Sequence, residues 1–281
     1  MIHLSSDPLL KLPTAEELPH SDDTPVDNEL QNDIPNFILN LFRLIWEERQ
    51  DWFFGVDMAV HYQLGTLAIV PDGFLAVGVP RHESEGGRLS YVLWQEGNIM
   101  PILALEVISE NYNGEYEKKL ETYQDMGILY YAIYNPLIRK NKYKDRLSLE
   151  VYKLVDDRYQ PVPANEHGIV WMPEISVGMG CEVRSFATWE REWLYLYDQS
   201  GDRYLTADEI AVQERLIALQ ERMAKQQAEQ NLWQAEQNLR QAEAIALQER
   251  IAKQEAEQQA QRLAEQLRAM GIDPDDMQDD L

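Results

Sequence analysis

The chain has a single cysteine, Cys181, so no internal disulfide framework holds it, and a reducing compartment suits it. No apolar run approaches the roughly 20 residues that a membrane-spanning helix needs. The N-terminus lacks the basic opening and the long apolar stretch of a secretory signal, which points to the cytoplasm and away from a membrane. Bases are scarce at both ends. Residues 1–34 hold eight acids against Lys11 alone, and residues 271–281 hold five aspartates and no base. A phosphate loop is missing as well, because "AVGVP" at 76–80 lacks the glycine-lysine-hydroxyl ending. The five histidines show no metal-ligand spacing, so His61 and His82 read as packing or surface residues. Cys181 has no histidine at a recognisable spacing and reads as a small core residue.

The formal net charge of −24 argues against a phosphate-binding surface, but its distribution matters more than its sum. Residues 35–206 carry 25 acids and 16 bases, a mild excess, and hydrophobic residues make up 44% of the chain. The composition therefore predicts an acidic N-terminal leader over 1–34, a folded domain over 35–206, an Ala/Gln/Glu-rich helix over 207–270 and an acidic tail over 271–281.

Within the domain, "IPNFILNLFRLIWEE" at 34–48 spaces Ile38, Leu41, Phe42 and Ile45 as an amphipathic helix. β-rich runs follow from Phe53 to Val79, then "PILALEVIS", a helix over 114–126, and "ILYYAIYNP" closed by an Asn-Pro breaker. Runs at 147–155 and 158–163 read as hairpin strands. The stripe Trp189, Trp193, Tyr195 and Tyr197 reads as core packing. Beyond Ala207, "IALQERMAKQQAEQ" at 217–230 returns as "IALQERIAKQEAEQ" at 245–258, an offset of four heptads. A seam of Ala228, Leu232, Ala235, Leu239, Ala242 and Ala246 predicts a coiled coil that would assemble copies of the chain; a solitary helix of good helix formers is the alternative.

The chemistry lies in an acid within a strand. Glu106 interrupts the apolar run "LALEVI", and a lone buried carboxylate costs several kcal/mol, about 3–5 when its partner is removed. A core Arg or Tyr could satisfy it, or a second carboxylate could share a divalent cation with it. Asp72 follows Pro71 at the start of another buried strand and is the candidate for that sharing. On the following helix, Tyr116, Leu120, Tyr123 and Gly127 form one stripe, and Lys119 lies beside it while Lys118, Glu121, Thr122 and Asp125 face away. Lys119 thus turns toward the sheet, either lying along the core edge or serving a site. Two acids followed by a base is what phosphodiester hydrolysis needs. In the loop "IRKNKYKDR", Arg139, Lys140, Lys142, Lys144 and Arg146 are candidates for gripping a nucleic-acid backbone, or form a solvated hairpin tip.

These residues carry a likeness. "VPDGFLAVGVP…GRLSYVLWQEGNIMPILALEVISEN…YEKKLETYQDMGILYYAIYNP", over 70–136, resembles the bacterial Uma-type restriction endonuclease family, a branch of the PD-(D/E)XK nuclease superfamily. The resemblance extends more loosely over about 12–206, and the tail ending "LRAMGIDP" is similar to tails of that family. It implies an α/β fold, a restriction-endonuclease-like mixed β-sheet flanked by helices, here followed by a long C-terminal helix. It also implies Mg²⁺ or Mn²⁺ as cofactor and DNA as partner. Carried across, the metal-binding acids fall on Asp72 and Glu106, with the backbone carbonyl of Val107 as a further ligand and Glu29 as an upstream helical acid. The superfamily's lysine two positions after the second acid is replaced by Ile108, and the migrated lysine maps onto Lys119. The leading expectation is a metal-dependent DNA endonuclease. The alternative is a catalytically inactive nuclease-like scaffold or coiled-coil interaction protein.

Overall fold

β5 (Leu103–Val107) is buried along its whole length, and both faces of it are covered, so it reads as one apolar run without alternation. The computed structural model describes residues 12–19, 28–82, 85–109, 114–137, 145–186 and 188–271. β5 lies inside a six-stranded sheet of order β1-β3-β5-β6-β7-β8. Its other members are β1 (Trp52–Val56), β3 (Gly73–Val77), β6 (Tyr130–Tyr134), β7 (Leu149–Val155) and β8 (Arg158–Pro161). β5 and β6 run parallel, joined through α2 (Lys118–Met126), while the other neighbours are antiparallel. A parallel pair needs such a crossover, which explains why a helical segment separates two apolar runs in the sequence. Gly127 ends α2 with φ 82°, a left-handed conformation that glycine adopts without steric cost.

Each face of the sheet has its own core. Leu75, Leu103, Leu105, Val107, Tyr130 and Ala132 face α1 (Glu29–Ile45) and a three-stranded sheet. That sheet joins β9 (Val170–Met172), β10 (Val177–Phe186) and β11 (Trp189–Tyr197) in the order β11-β10-β9. Phe74, Ala76, Ala104, Ile108, Tyr131 and Ile133 face Tyr123 and Met126 of α2. A short parallel pair, β2 (Val60–His61) and β4 (Tyr91–Val92), lies on this second side, where Val60 and Tyr91 join the same core.

α1 begins at Glu29, five residues before the start that the apolar spacing suggests. The cause is Asn28, whose side-chain oxygen accepts the amide hydrogens of Leu30 and Gln31 at 3.0 and 3.2 Å. Pro35 sits inside the helix, where it costs about 3 kcal/mol. Burial of Ile34, Phe37, Ile38, Leu41 and Phe42, at about 1.5–3 kcal/mol per side chain, outweighs that cost. Part of the acidic leader is tied to the domain: the Trp94 indole donates to the Pro13 carbonyl at 2.8 Å, and Ala15 N–H donates to Gln95 at 3.0 Å.

The chain divides into two compact units, residues 1–209 and 210–281. α3 (Ala207–Ala269) opens on a reciprocal cap, in which Glu209 N–H donates to Thr206 Oγ1 at 3.3 Å and Thr206 N–H donates to Glu209 Oε2 at 2.9 Å. No residue of α3 is buried, and Leu216, Met223, Leu232, Trp233, Leu239 and Ile251 are among its exposed apolar side chains. Among the described residues, no helix is long and apolar enough to cross a membrane.

Candidate active site

Alternation along a strand sends every second side chain to the same face, so Ala104, Glu106 and Ile108 all turn toward α2. Asp72 precedes β3 with the parity of Phe74 and Ala76, and it shares that face. The antiparallel register Gly73↔Leu105 then sets Asp72 beside the end of β5, where its Oδ2 accepts the Val107 amide hydrogen at 2.6 Å. Glu106 is fully buried and Asp72 is 8% exposed.

Helix α2 supplies the groups that answer these acids. Lys119 Nζ donates to Glu106 Oε2 at 2.8 Å, and the Tyr123 hydroxyl donates to Glu106 Oε1. Four residues separate Lys119 from Tyr123, the spacing that puts two side chains on one helix face. Lys118 is exposed, as the period of the helix requires. Glu115, in the turn before α2, is 2% exposed, and its Oε1 stands 3.9 Å from Lys119 Nζ. The Glu115 carbonyl accepts the Tyr131 hydroxyl at 2.8 Å, which pins the turn to β6.

The electrostatics follow from three carboxylates gathered around one ammonium. Burial drives the Asp72 pKa well above the usual carboxylate range, and the neighbouring Glu106 charge adds to it; the Val107 amide and Lys119 offset only part. Burial pulls Lys119 down, but the charge and hydrogen bond of Glu106, with Asp72 and Glu115, carry it above the ordinary lysine value. Burial, followed by the Glu106 charge, holds the Tyr123 hydroxyl protonated and hence a donor.

Asp72, Glu106 and Lys119 therefore meet in one cluster, and Val107 joins it through its N–H. Glu29 does not. It is the exposed first residue of α1, and among the described residues no group of three or more His, Cys, Asp or Glu is placed to hold a metal ion. Arg139, Lys140, Lys142 and Lys144 lie outside the described residues. Arg146 is engaged within the fold: it pairs with Glu150 at 2.8 Å, and its guanidinium lies 3.9 Å from the centre of the Tyr116 ring. His61 Nε2 lies 2.9 Å from the Pro19 carbonyl, and His82 is exposed. Burial pushes the Cys181 thiol upward, away from thiolate chemistry. Trp193, Tyr195 and Tyr197 are buried, while Trp189 lies at the surface beside Arg191. Sequence reasoning missed two members of the cluster. A spacing of four on either side of Lys119 puts Tyr123 and Glu115 near it, but nothing in that spacing shows the Tyr123 hydroxyl meeting Glu106.

The profile of the Uma2 family, described as "Putative restriction endonuclease", matches residues 23–185. Among solved structures, the chain is similar to a "putative nuclease belonging to DUF820 from Anabaena variabilis ATCC 29413", with 14% identity and a TM-score of 0.39, covering 58% of this chain and 90% of that one. No curated protein matches. The mixed six-stranded sheet with its flanking helices is restriction-endonuclease-like. The family match spans more than half of the sequence and includes Asp72, Glu106 and Lys119, so the chain belongs to the Uma2 restriction endonuclease family.

Proposed function

We propose that this protein is an endonuclease that hydrolyses phosphodiester bonds in DNA with the help of Mg²⁺ or Mn²⁺ bound by Asp72 and Glu106. The observation that carries the reading is the part-buried contact of Lys119 Nζ with Glu106 Oε2 at 2.8 Å, beside Asp72 at the start of the neighbouring strand. The donor set fits a hard divalent cation. Two carboxylates with few further protein ligands suit an ion that keeps several waters and takes the rest of its shell from substrate phosphate. Burial first, and the neighbouring Glu106 charge second, disfavour the ionised form of Asp72, and a divalent ion between the two acids would offset both. The Val107 carbonyl is a further candidate ligand.

A divalent ion held by Asp72 and Glu106 would supply Lewis acidity toward the phosphate and make water more acidic near neutral pH. Asp72, anchored by Val107 N–H, and Glu106, anchored by Tyr123, hold their oxygens in place. Lys119 presents an ammonium that stabilises charge growing on the phosphoryl oxygens or orients the attacking water. Arg146 stands at the same end of the sheet as Glu106, because Leu149 pairs with Tyr134 and Tyr134 with Val107. Arg139, Lys140, Lys142 and Lys144, which precede it in the sequence, are our candidates for contacting the DNA backbone.

The nuclease role belongs to residues 35–206 in this reading, and residues 207–270 assemble copies of the chain, with acidic segments 1–34 and 271–281 flanking them. The exposed Leu216, Leu232, Trp233 and Leu239 on α3 support assembly. They equally favour a second reading, an inactive nuclease-like scaffold whose working part is a coiled coil. The lone Cys181 suits the cytoplasm. Purified protein should nick supercoiled plasmid with Mg²⁺ or Mn²⁺, and Asp72→Ala should abolish the nicking. Full activity in that variant ends the assignment, and a wild type inert with either ion favours the scaffold.

A further inference from the structure

Both oxygens of Glu106 are already engaged, Oε1 by the Tyr123 hydroxyl and Oε2 by Lys119 Nζ. A cation that draws on Glu106 therefore competes with the lysine for Oε2. Displaced from Glu106, the ammonium of a lysine whose side chain is only 19% exposed would be costly without another acceptor. One stands within reach. Glu115 Oε1 is 3.9 Å from Lys119 Nζ, on a side chain 3% exposed, one helical turn upstream of the lysine. Closing that gap by about 1 Å gives a charge-assisted hydrogen bond.

We propose that Glu115 is a positioning residue that provides a second seat for the Lys119 ammonium, holding it in the site when a divalent cation takes Glu106. This rests on the metal-dependent reading above. Lys119 then has two roles in sequence. In the metal-free chain it is the counter-ion of Glu106; with the cation bound it moves to Glu115 and stays beside the phosphate. The Glu115 carbonyl, fixed by the Tyr131 hydroxyl, keeps the backbone of this seat in place.

The arrangement predicts opposite effects for its two members. Lys119→Met removes the competitor and should tighten Mn²⁺ binding roughly tenfold, the size of one charged hydrogen bond. Glu115→Gln removes the seat and should weaken binding roughly tenfold. A carboxylate acting only through its charge would weaken binding equally with or without the lysine. One acting through Lys119 loses its effect in the double variant.

The test is calorimetric titration of the full, chelator-stripped chain with Mn²⁺ for the wild type, both single variants and the double variant. Thermal melts without metal check that each is folded, and Lys119→Gln replaces Lys119→Met if the latter is not. The expected result is tighter binding for Lys119→Met, weaker binding for Glu115→Gln, and a double variant matching Lys119→Met. An undiminished Glu115→Gln loss in the double variant, or no tightening in Lys119→Met, overturns the second seat while leaving the metal site standing. A wild type with no more Mn²⁺ heat than Asp72→Ala overturns the metal site itself, and the second seat with it.

Discussion

Lys119 reaches back across thirteen residues to donate from Nζ to Glu106 Oε2 at 2.8 Å, joining the first turn of α2 to the C-terminal end of β5. The contact is possible because β5 and β6 are parallel, which obliges the chain to cross over the sheet face on which Glu106 stands. The crossover that the topology requires therefore brings the base to the acid. The same helix face delivers Tyr123 to the other oxygen, so a carboxylate with no access to water is met on both sides.

Tyr123→Phe keeps the ring against Tyr131 of β6 but removes the hydroxyl that Glu106 accepts. A buried carboxylate that loses one charged hydrogen bond should destabilise the chain by about 1–3 kcal/mol. Urea denaturation should show a lower midpoint at unchanged slope, and an unchanged midpoint would mean that the hydroxyl contributes nothing to holding Glu106.

Asp72 sets a pH dependence of unusual sign. Its folded pKa lies well above its unfolded value, because burial and Glu106 disfavour the charged form. The folded chain therefore binds this proton more tightly than the unfolded chain does. The resulting stability is complete below the unfolded value, about pH 4, and is lost as pH rises through the folded pKa. Asp72→Asn keeps an oxygen for the Val107 amide and removes the titration. In chelator, the variant should be more stable than the wild type at pH 8, with the gap narrowing toward pH 4. A wild type more stable than the variant at pH 8 would contradict this.

Glu209 behaves in the opposite way. Its hydrogen bond to Arg203 at 2.7 Å, assisted by the Thr206 amide, lowers its pKa to about 2. Stability from this group is present above the unfolded carboxylate value and is lost as pH falls toward about 2. The side chain is 34% exposed, so solvent screening discounts the contribution to about 1 kcal/mol. Glu209→Gln should lower the melting temperature at pH 7 and match the wild type near pH 2.

Arg88 and Glu96 form a two-point ion pair at 2.6 and 3.0 Å, with side chains only 2% and 3% exposed. Arg88→Met strands the acid in a dry surround and should cost about 3–5 kcal/mol. Adding Glu96→Met should restore part of that loss, as measured by denaturant unfolding. A double variant as unstable as the single one would show that the pair contributes through more than mutual neutralisation.

Much of the cluster is legible in the sequence because its parts sit at element periods. Glu106 stands out in an apolar strand, and the helix period separates Lys119 from Lys118. What the periods hide are partners brought by tertiary contact. Tyr123 reads as one more member of the apolar stripe, since nothing local shows that its hydroxyl meets an acid 17 residues upstream. Glu115 is placed in a helix over 114–126, yet α2 starts at Lys118, so the acid occupies the preceding turn and approaches Lys119 from there. Glu29 fits a family pattern but stands exposed at the start of α1, because Asn28 caps the helix there. Arg146 reads as a free basic side chain, whereas Glu150 and the Tyr116 ring hold it. Helix α3 is the reverse case: its composition announces a helix, and the helix runs over Ala207–Ala269.

The most direct test is anomalous diffraction from a crystal of the wild-type chain soaked in Mn²⁺. A single anomalous peak bridging the Asp72 and Glu106 carboxylates, absent from Asp72→Ala crystals, is the predicted result. Crystals in which Mn²⁺ binds elsewhere, while Lys119 stays on Glu106 and no peak lies between the two acids, would contradict it.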